Sequence, residues 1–151
     1  MTRLLIRDAT LADLPAIIAL GEDDPVAVAR DPVAVPVSEH EAAFALIEAD
    51  PGERLLVAEI AGTVIGSFQL SFIPGIARRG TWRGMIESVR VTPTMQGRGI
   101  GRLMMLWAID ACRAKGCHTV QLTSATNRPD AHRFYERLGF HPTHRGYKLK
   151  L

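Results

Sequence analysis

The spacing of apolar residues changes several times along this 151-residue chain, and each change predicts an element. Residues 3–7 (RLLIR) read as a first strand. After Thr10, Leu11, Leu14, Ile17 and Ile18 recur at helical spacing, with Asp13 as a capping acid at the third helical position and Gly21 as the stop. Residues 22–37 carry Asp-Pro-Val-Ala-Val twice, seven residues apart; three prolines and no sustained period predict an ordered loop or a short broken helix. Ser38 and Glu41 have the spacing of a capping box for a helix through Ala49, closed by Asp50-Pro51-Gly52.

Beyond it the period shortens. Residues 54–60 and 63–73 read as strands joined at Ala61-Gly62, and Trp82 to Thr92 as a third, after a connection that starts at Pro74-Gly75. From Gly99 to about Lys115 the helical period returns. Ile100, Leu103, Met104, Trp107, Ala108 and Ala111 share one face and Arg102, Asp110 and Arg113 the other, which predicts packing against a sheet. Gly116 ends that helix and His118 to Thr123 reads as a strand. Pro129 suits a first helical position and Gly139 a left-handed cap, with Ala131, Phe134, Tyr135 and Leu138 on one face between them. Phe140-His141 and Arg145–Leu151 read as final strands. Helices thus alternate with strands, in the order β-α-α-β-β-β-α-β-α-β-β.

Composition narrows the class without naming a chemistry. Apolar residues make up 47 % and charged residues 23 %, as in an ordinary single globular domain, and the length suits one such domain over residues 1–151. A net charge of +2 gives no reason to expect a nucleic-acid partner. No apolar run approaches the roughly 20 residues of a membrane span, and MTRLLIRDAT has no signal-peptide core; no membrane partner and a cytoplasmic location are expected. Cys112 and Cys117 are too few for a disulfide framework and lack partners at zinc-ligand spacing, so they are read as small buried thiols and no metal is expected.

The chemistry is concentrated at residues 96–101, QGRGIG. Gly97, Gly99 and Gly101 leave a nearly bare backbone whose N–H groups can converge on an anion, and a helix begins there with the positive end of its dipole. Five residues separate this loop from the preceding strand, unlike a dinucleotide fingerprint, and Gly101 is followed by Arg-Leu, unlike a nucleoside-triphosphate loop. A second segment, AHRFYERLGF, begins 30 residues after Gly101. Q-x-x-G-x-G followed by A-x-x-F-Y-x-x-x-G-F resembles the paired signature of the GNAT N-acetyltransferase superfamily, strongly over residues 83–141.

That resemblance implies an α/β fold of the α+β type: a mixed, mostly antiparallel sheet of six to seven strands flanked by about four helices, with the strands at 85–91 and 118–123 splayed apart. It implies acetyl-CoA as co-substrate. Gln96, Gly97, Arg98, Gly99, Ile100, Gly101 and Arg102 would hold the pyrophosphate. Val89, Arg90 and Val91 would lie along the pantetheine arm, and Thr123, Asn127, Arg128 and Phe134 would complete the coenzyme site. The superfamily often has Asn seven residues before its tyrosine; here Arg128 stands there with Asn127 before it, so either the contact shifts to Asn127 or Arg128 reaches a phosphate.

Transfer of an acetyl group to an amine also needs a neutral amine and a proton for the departing thiolate. By resemblance Tyr135 is the general acid, and a phenol of ordinary pKa near 10 is protonated at pH 7. Glu87 is the base candidate, two and four residues before Val89 and Val91 and so on their strand face; its alternative role is a structural hydrogen bond or salt bridge. The expected function is transfer to a primary amine of a small molecule in a ternary complex. A CoA-binding sensor without catalysis, or transfer to a protein or peptide amine, are the alternatives. Glu22, Asp23 and Asp24 suggest a cationic acceptor, whereas Arg78, Arg79 and Arg83 suggest an anionic one. A homodimer is open.

Overall fold

The alternation in residues 3–7 and 54–60 becomes an antiparallel pair in the computed structural model, which describes residues 3–151 apart from the Arg78 side chain. Strand β1 (Leu4–Asp8) runs against β2 (Glu53–Ile60), and β2 against β3 (Thr63–Pro74). Ala61 and Gly62 both have positive φ, 50° and 78°, the turn geometry that matches the twist of a tight hairpin. Strand β4 (Trp82–Val91) continues antiparallel and β5 (Cys117–Leu122) is parallel to β4, giving the order β1-β2-β3-β4-β5.

The helices are α1 (Leu14–Glu22), α2 (Pro25–Arg30), α3 (Val37–Ala49), the single turn α4 (Ala77–Gly80), α5 (Ile100–Lys115) and α6 (Pro129–Arg137). None of them is long and apolar enough to cross a membrane. In the region with three prolines, Pro25–Arg30 forms the short α2, and Pro32 and Pro36 lie in the irregular segment after it. The Ser38–Glu41 capping box does not form, because α3 already starts at Val37 with Pro36 before it and no side-chain cap.

Helix α5 packs on one face of the sheet, where Phe68 and Leu70 of β3, Ile86 of β4 and Met104, Met105 and Ala108 of α5 are all essentially inaccessible. Burying side chains of this size stabilises the fold by roughly 1.5–3 kcal/mol each. The buried stripe is Ile100, Met104, Met105, Ala108 and Cys112; Leu103, assigned to it by spacing, is 47 % exposed. Over β4 the approach is close: a methyl at Gly84 would lie 2.3 Å from Cys112 Sγ. Helices α1 and α3 cover the opposite face.

The C-terminal expectation is corrected. Neither Phe140-His141 nor Arg145–Leu151 forms a strand, and the described residues hold five strands, not six or seven. Phe140 packs on the core as a single anchor, and Gly146 passes the end of β5 beside Thr123. Beyond it Tyr147, Leu149 and Leu151 are 88 %, 87 % and 113 % exposed, with Lys150 reaching Asp31 at 3.8 Å. Alternation makes this segment competent to pair, but it forms no ladder with β5.

Candidate active site

Strand β4 runs on beyond its pairing with β5 where the coenzyme arm is expected. Their ladder runs from Trp82↔Cys117 to Ile86↔Leu122 and stops there. At the same place β4 bulges. The β3 register jumps from Gln69↔Glu87 to Ser67↔Arg90, so that Ser88 and Val89 stand against Phe68 alone, and Ser88 has φ 54°. This changes which way the side chains point. Glu87 and Arg90, opposite Gln69 and Ser67, lie on the α1 side. Val91 lies on the α5 side, 3.9 Å from where a Gly101 Cβ would be. Glu87 therefore does not share a face with Val91, as strict alternation would require. It is exposed on β4, and Val89 packs against the core.

The glycine loop has the conformation that its composition suggests. Gly97 and Gly99 take left-handed φ of 74° and 78°, and Gly99 is the N-cap of α5 without a side-chain cap. A Cβ on either would meet nothing within 4 Å, so bare backbone faces open space at a helix start, a seat suited to an anion. Gln96 Nε2 donates to Val91 O at 3.0 Å, tying the loop to the end of β4. Buried Ile100 anchors the first turn, while Arg98 and Arg102 are exposed. Gly101 serves packing: its missing side chain admits the Phe134 ring, whose Cζ is 3.6 Å from the Cβ position.

That contact brings α6 against the start of α5. Tyr135 packs edge-on against Phe134 and Phe140, with ring centroids 5.1 and 6.1 Å away. Burial pushes its phenol above the ordinary value, and the charge of Arg128 partly opposes the rise. His132 is engaged structurally, its Nε2 lying 2.8 Å from Ala125 O.

A cleft of about 510 Å³ opens between the end of β4, the start of α6 and the α1–α2 segment. It brings together Val89, Arg90, Val91, Gln96, Asn127 and Arg128. Glu87, Thr123, Phe134 and Tyr135 are outside its lining, and Gly97 to Arg102 follow Gln96 without lining it. Its other wall contains a residue whose role the sequence did not disclose. Asp24 caps α2 by accepting from the N–H groups of Val26 and Ala27, accepts from Arg128 Nη2 at 2.5 Å and lies 3.6 Å from Arg90 Nε. Burial raises the Asp24 carboxyl, but the Arg128 hydrogen bond, the Ala27 N–H and the two guanidinium charges outweigh it and hold the pKa below the usual carboxylate range. The signal was Asp-Pro, a cap followed by a residue suited to the first helical position. Glu22, Asp23 and Asp24 therefore form no free acidic patch: Asp24 is neutralised, and Glu22 and Asp23 are exposed. Arg79 and Arg83 are exposed and outside the cleft lining, and the Arg78 side chain is outside the described residues.

The acetyltransferase (GNAT) family profile matches residues 21–140. An aminoalkylphosphonate N-acetyltransferase of Salmonella typhimurium is 33 % identical over 67 % of this chain and 65 % of its own length. A glucosamine 6-phosphate N-acetyltransferase of Trypanosoma brucei brucei is 36 % identical over 60 % of this chain and 59 % of its own. The matched part is thus under two thirds of either relative. A solved structure described as a transcriptional regulator from Bacillus halodurans C-125 superposes with a TM-score of 0.92 at 38 % identity, covering 99 % of this chain and 100 % of that one. This chain belongs to the acetyltransferase (GNAT) family.

Proposed function

We propose that this protein is an acetyl-CoA-dependent N-acetyltransferase that acts on a primary amine of a small molecule. One observation carries the reading: β4 runs on past its last pair with β5, Ile86↔Leu122, as far as Val91, beside a left-handed glycine loop that caps α5. The stretch of β4 beyond that pair leaves backbone donors and acceptors on its β5 side for an amide-bearing arm, and the loop offers N–H groups to a diphosphate. Gln96, Gly97, Arg98, Gly99, Ile100, Gly101 and Arg102 form that seat in this reading, and Val89, Arg90 and Val91 border the arm through their backbone alone, the Arg90 guanidinium turning toward Gly21.

The acceptor nitrogen, as the free amine, attacks the thioester carbonyl carbon and the carbon–sulfur bond breaks as the amide forms. Tyr135 gives its phenolic proton to the departing sulfur. Its raised pKa keeps that proton in place at neutral pH. Glu87, exposed on the α1 side of β4, takes the proton lost by the amine, directly or through water. Donor and acceptor react in one ternary complex, without a covalent enzyme intermediate.

A CoA-binding sensor would need the loop and the unpaired end of β4 but not a half-buried tyrosine on α6 beside them. Thiol release from acetyl-CoA with a panel of amines separates the readings: tight CoA binding without turnover of any amine favours the sensor. Transfer to peptide amines is distinguished in the same assay. The reading extends to a homodimer, supported by the exposed alternation of Tyr147, Leu149 and Leu151 and by the edge of β5 that no described strand covers.

A further inference from the structure

We propose that Arg90 and Arg128 form a receptor for an anionic group on the acceptor, so that the substrates are small amines bearing a phosphonate, phosphate or carboxylate. This rests on the transferase reading and adds the acceptor's chemistry to it. The two guanidinium groups come from different elements, the end of β4 and the residue before α6, and both line the cleft. Between them they face one carboxylate, Asp24, which is already engaged by two backbone N–H groups of α2. The other acids on the cleft are Asp23, exposed, and Asp130, which is paired with Arg133. Within the cluster of Arg90, Arg128 and Asp24, one positive charge is left in excess.

One donor there is also unfinished. Arg90 Nε is buried with no hydrogen-bond partner, although Asp24 Oδ2 is only 3.6 Å away. Buried donors are almost always paired, so an acceptor atom is the missing component. Guanidinium groups suit oxyanions because their planar N–H fork meets two oxygens together.

Two anions could meet this pair, the diphosphate of the coenzyme and a group on the acceptor. Position favours the acceptor. The loop that seats a diphosphate adjoins Val91 on the α5 side of β4, whereas the Arg90 guanidinium lies on the α1 side, 3.9 Å from the Cβ position of Gly21. Arg128 is also close enough to Tyr135 for its charge to act on the phenol, which puts the pair near the atoms that exchange protons. An amine attacking there, with an oxyanion a few bonds away, reaches both arginines. Asp24 then acts as an internal competitor for the same guanidinium groups.

The test compares 2-aminoethylphosphonate with its diethyl ester, the same amine without the charge, and glycine with glycinamide. Wild type is expected to prefer the anionic member by at least about tenfold in kcat/KM. Arg90→Gln and Arg128→Gln should each erase most of that preference through KM of the acceptor, with KM of acetyl-CoA within about twofold of wild type; Arg→Lys variants should recover part of it. Asp24→Asn, which keeps a capping oxygen for α2, should lower KM for the anionic amine. Calorimetry with CoA verifies that each variant is folded, and the Lys variants carry the test if the Gln variants are not. Equal use of charged and neutral amines overturns the proposal. So does a raised KM for acetyl-CoA with the acceptor preference intact, which would assign the arginines to the coenzyme. Wild type that turns over other amines but neither pair overturns this inference alone, whereas no turnover of any amine overturns the transferase reading and this with it.

Discussion

Arg7 and Asp13 meet in a two-point ion pair, with Nη1 2.7 Å from Oδ2 and Nη2 2.9 Å from Oδ1. Asp13 Oδ2 also accepts the Thr10 N–H at 2.7 Å, and Arg7 Nε donates to Glu59 at 2.9 Å. One charge network thus joins β1, β2 and the turn that launches α1. It fixes where α1 starts, and so where the α1–α2 wall of the cleft stands.

This network predicts an acid-sensitive contribution to stability. The Arg7 hydrogen bonds outweigh burial and hold the Asp13 carboxyl at about 2, below the ordinary 3.8. A depressed folded-state pKa contributes stability that is complete above the unfolded value and is lost as pH falls toward the folded one. Asp13→Asn should cost about 2 kcal/mol at pH 7, and its deficit should shrink steadily between pH 4 and pH 2. Urea midpoints of both proteins across that range check this. Equal stability at pH 7 would mean that Arg7 gains nothing from Asp13 beyond what water supplies.

Gly99→Val should leave a folded protein that has lost CoA binding. A β-branched residue at φ 78° costs about 1–2 kcal/mol, tolerable in a loop, while its side chain fills the open space over the α5 start. Calorimetry with CoA should register no binding in a variant whose circular dichroism is that of wild type. Unchanged affinity in the folded variant would remove the loop from the site.

The exposed C-terminal alternation leads to a prediction about size. Wild type should run in light scattering at about twice 16.5 kDa, and Tyr147→Lys with Leu149→Lys should return it to the monomer, because charges on both apolar positions prevent their burial. A monomeric wild type, or a dimer indifferent to the double substitution, contradicts this.

What the sequence disclosed was local. The glycine loop, the Gly116 stop with φ 85°, and the Phe134-Tyr135 helix rest on contacts within a turn or two, and all three are present. What it concealed depends on partners far along the chain. The bulge at Ser88 appears only when β4 is set against β3, and it alone decides that Glu87 faces with Arg90 and not with Val91. Asp24 meets Arg128 across 104 residues, so three adjacent acids looked like a free patch. Arg145–Leu151 has the period of a strand, but a period does not say which edge it joins.

The most direct test of proton delivery by Tyr135 is the turnover of Tyr135→Phe with acetyl-CoA and a productive amine. The ring contacts with Phe134 and Phe140 survive the change, so only the proton is removed. The predicted result is a kcat lowered by at least about tenfold with KM for acetyl-CoA little altered. Turnover at the wild-type rate would contradict the account, leaving Tyr135 as a packing residue and the thiolate to take its proton from elsewhere.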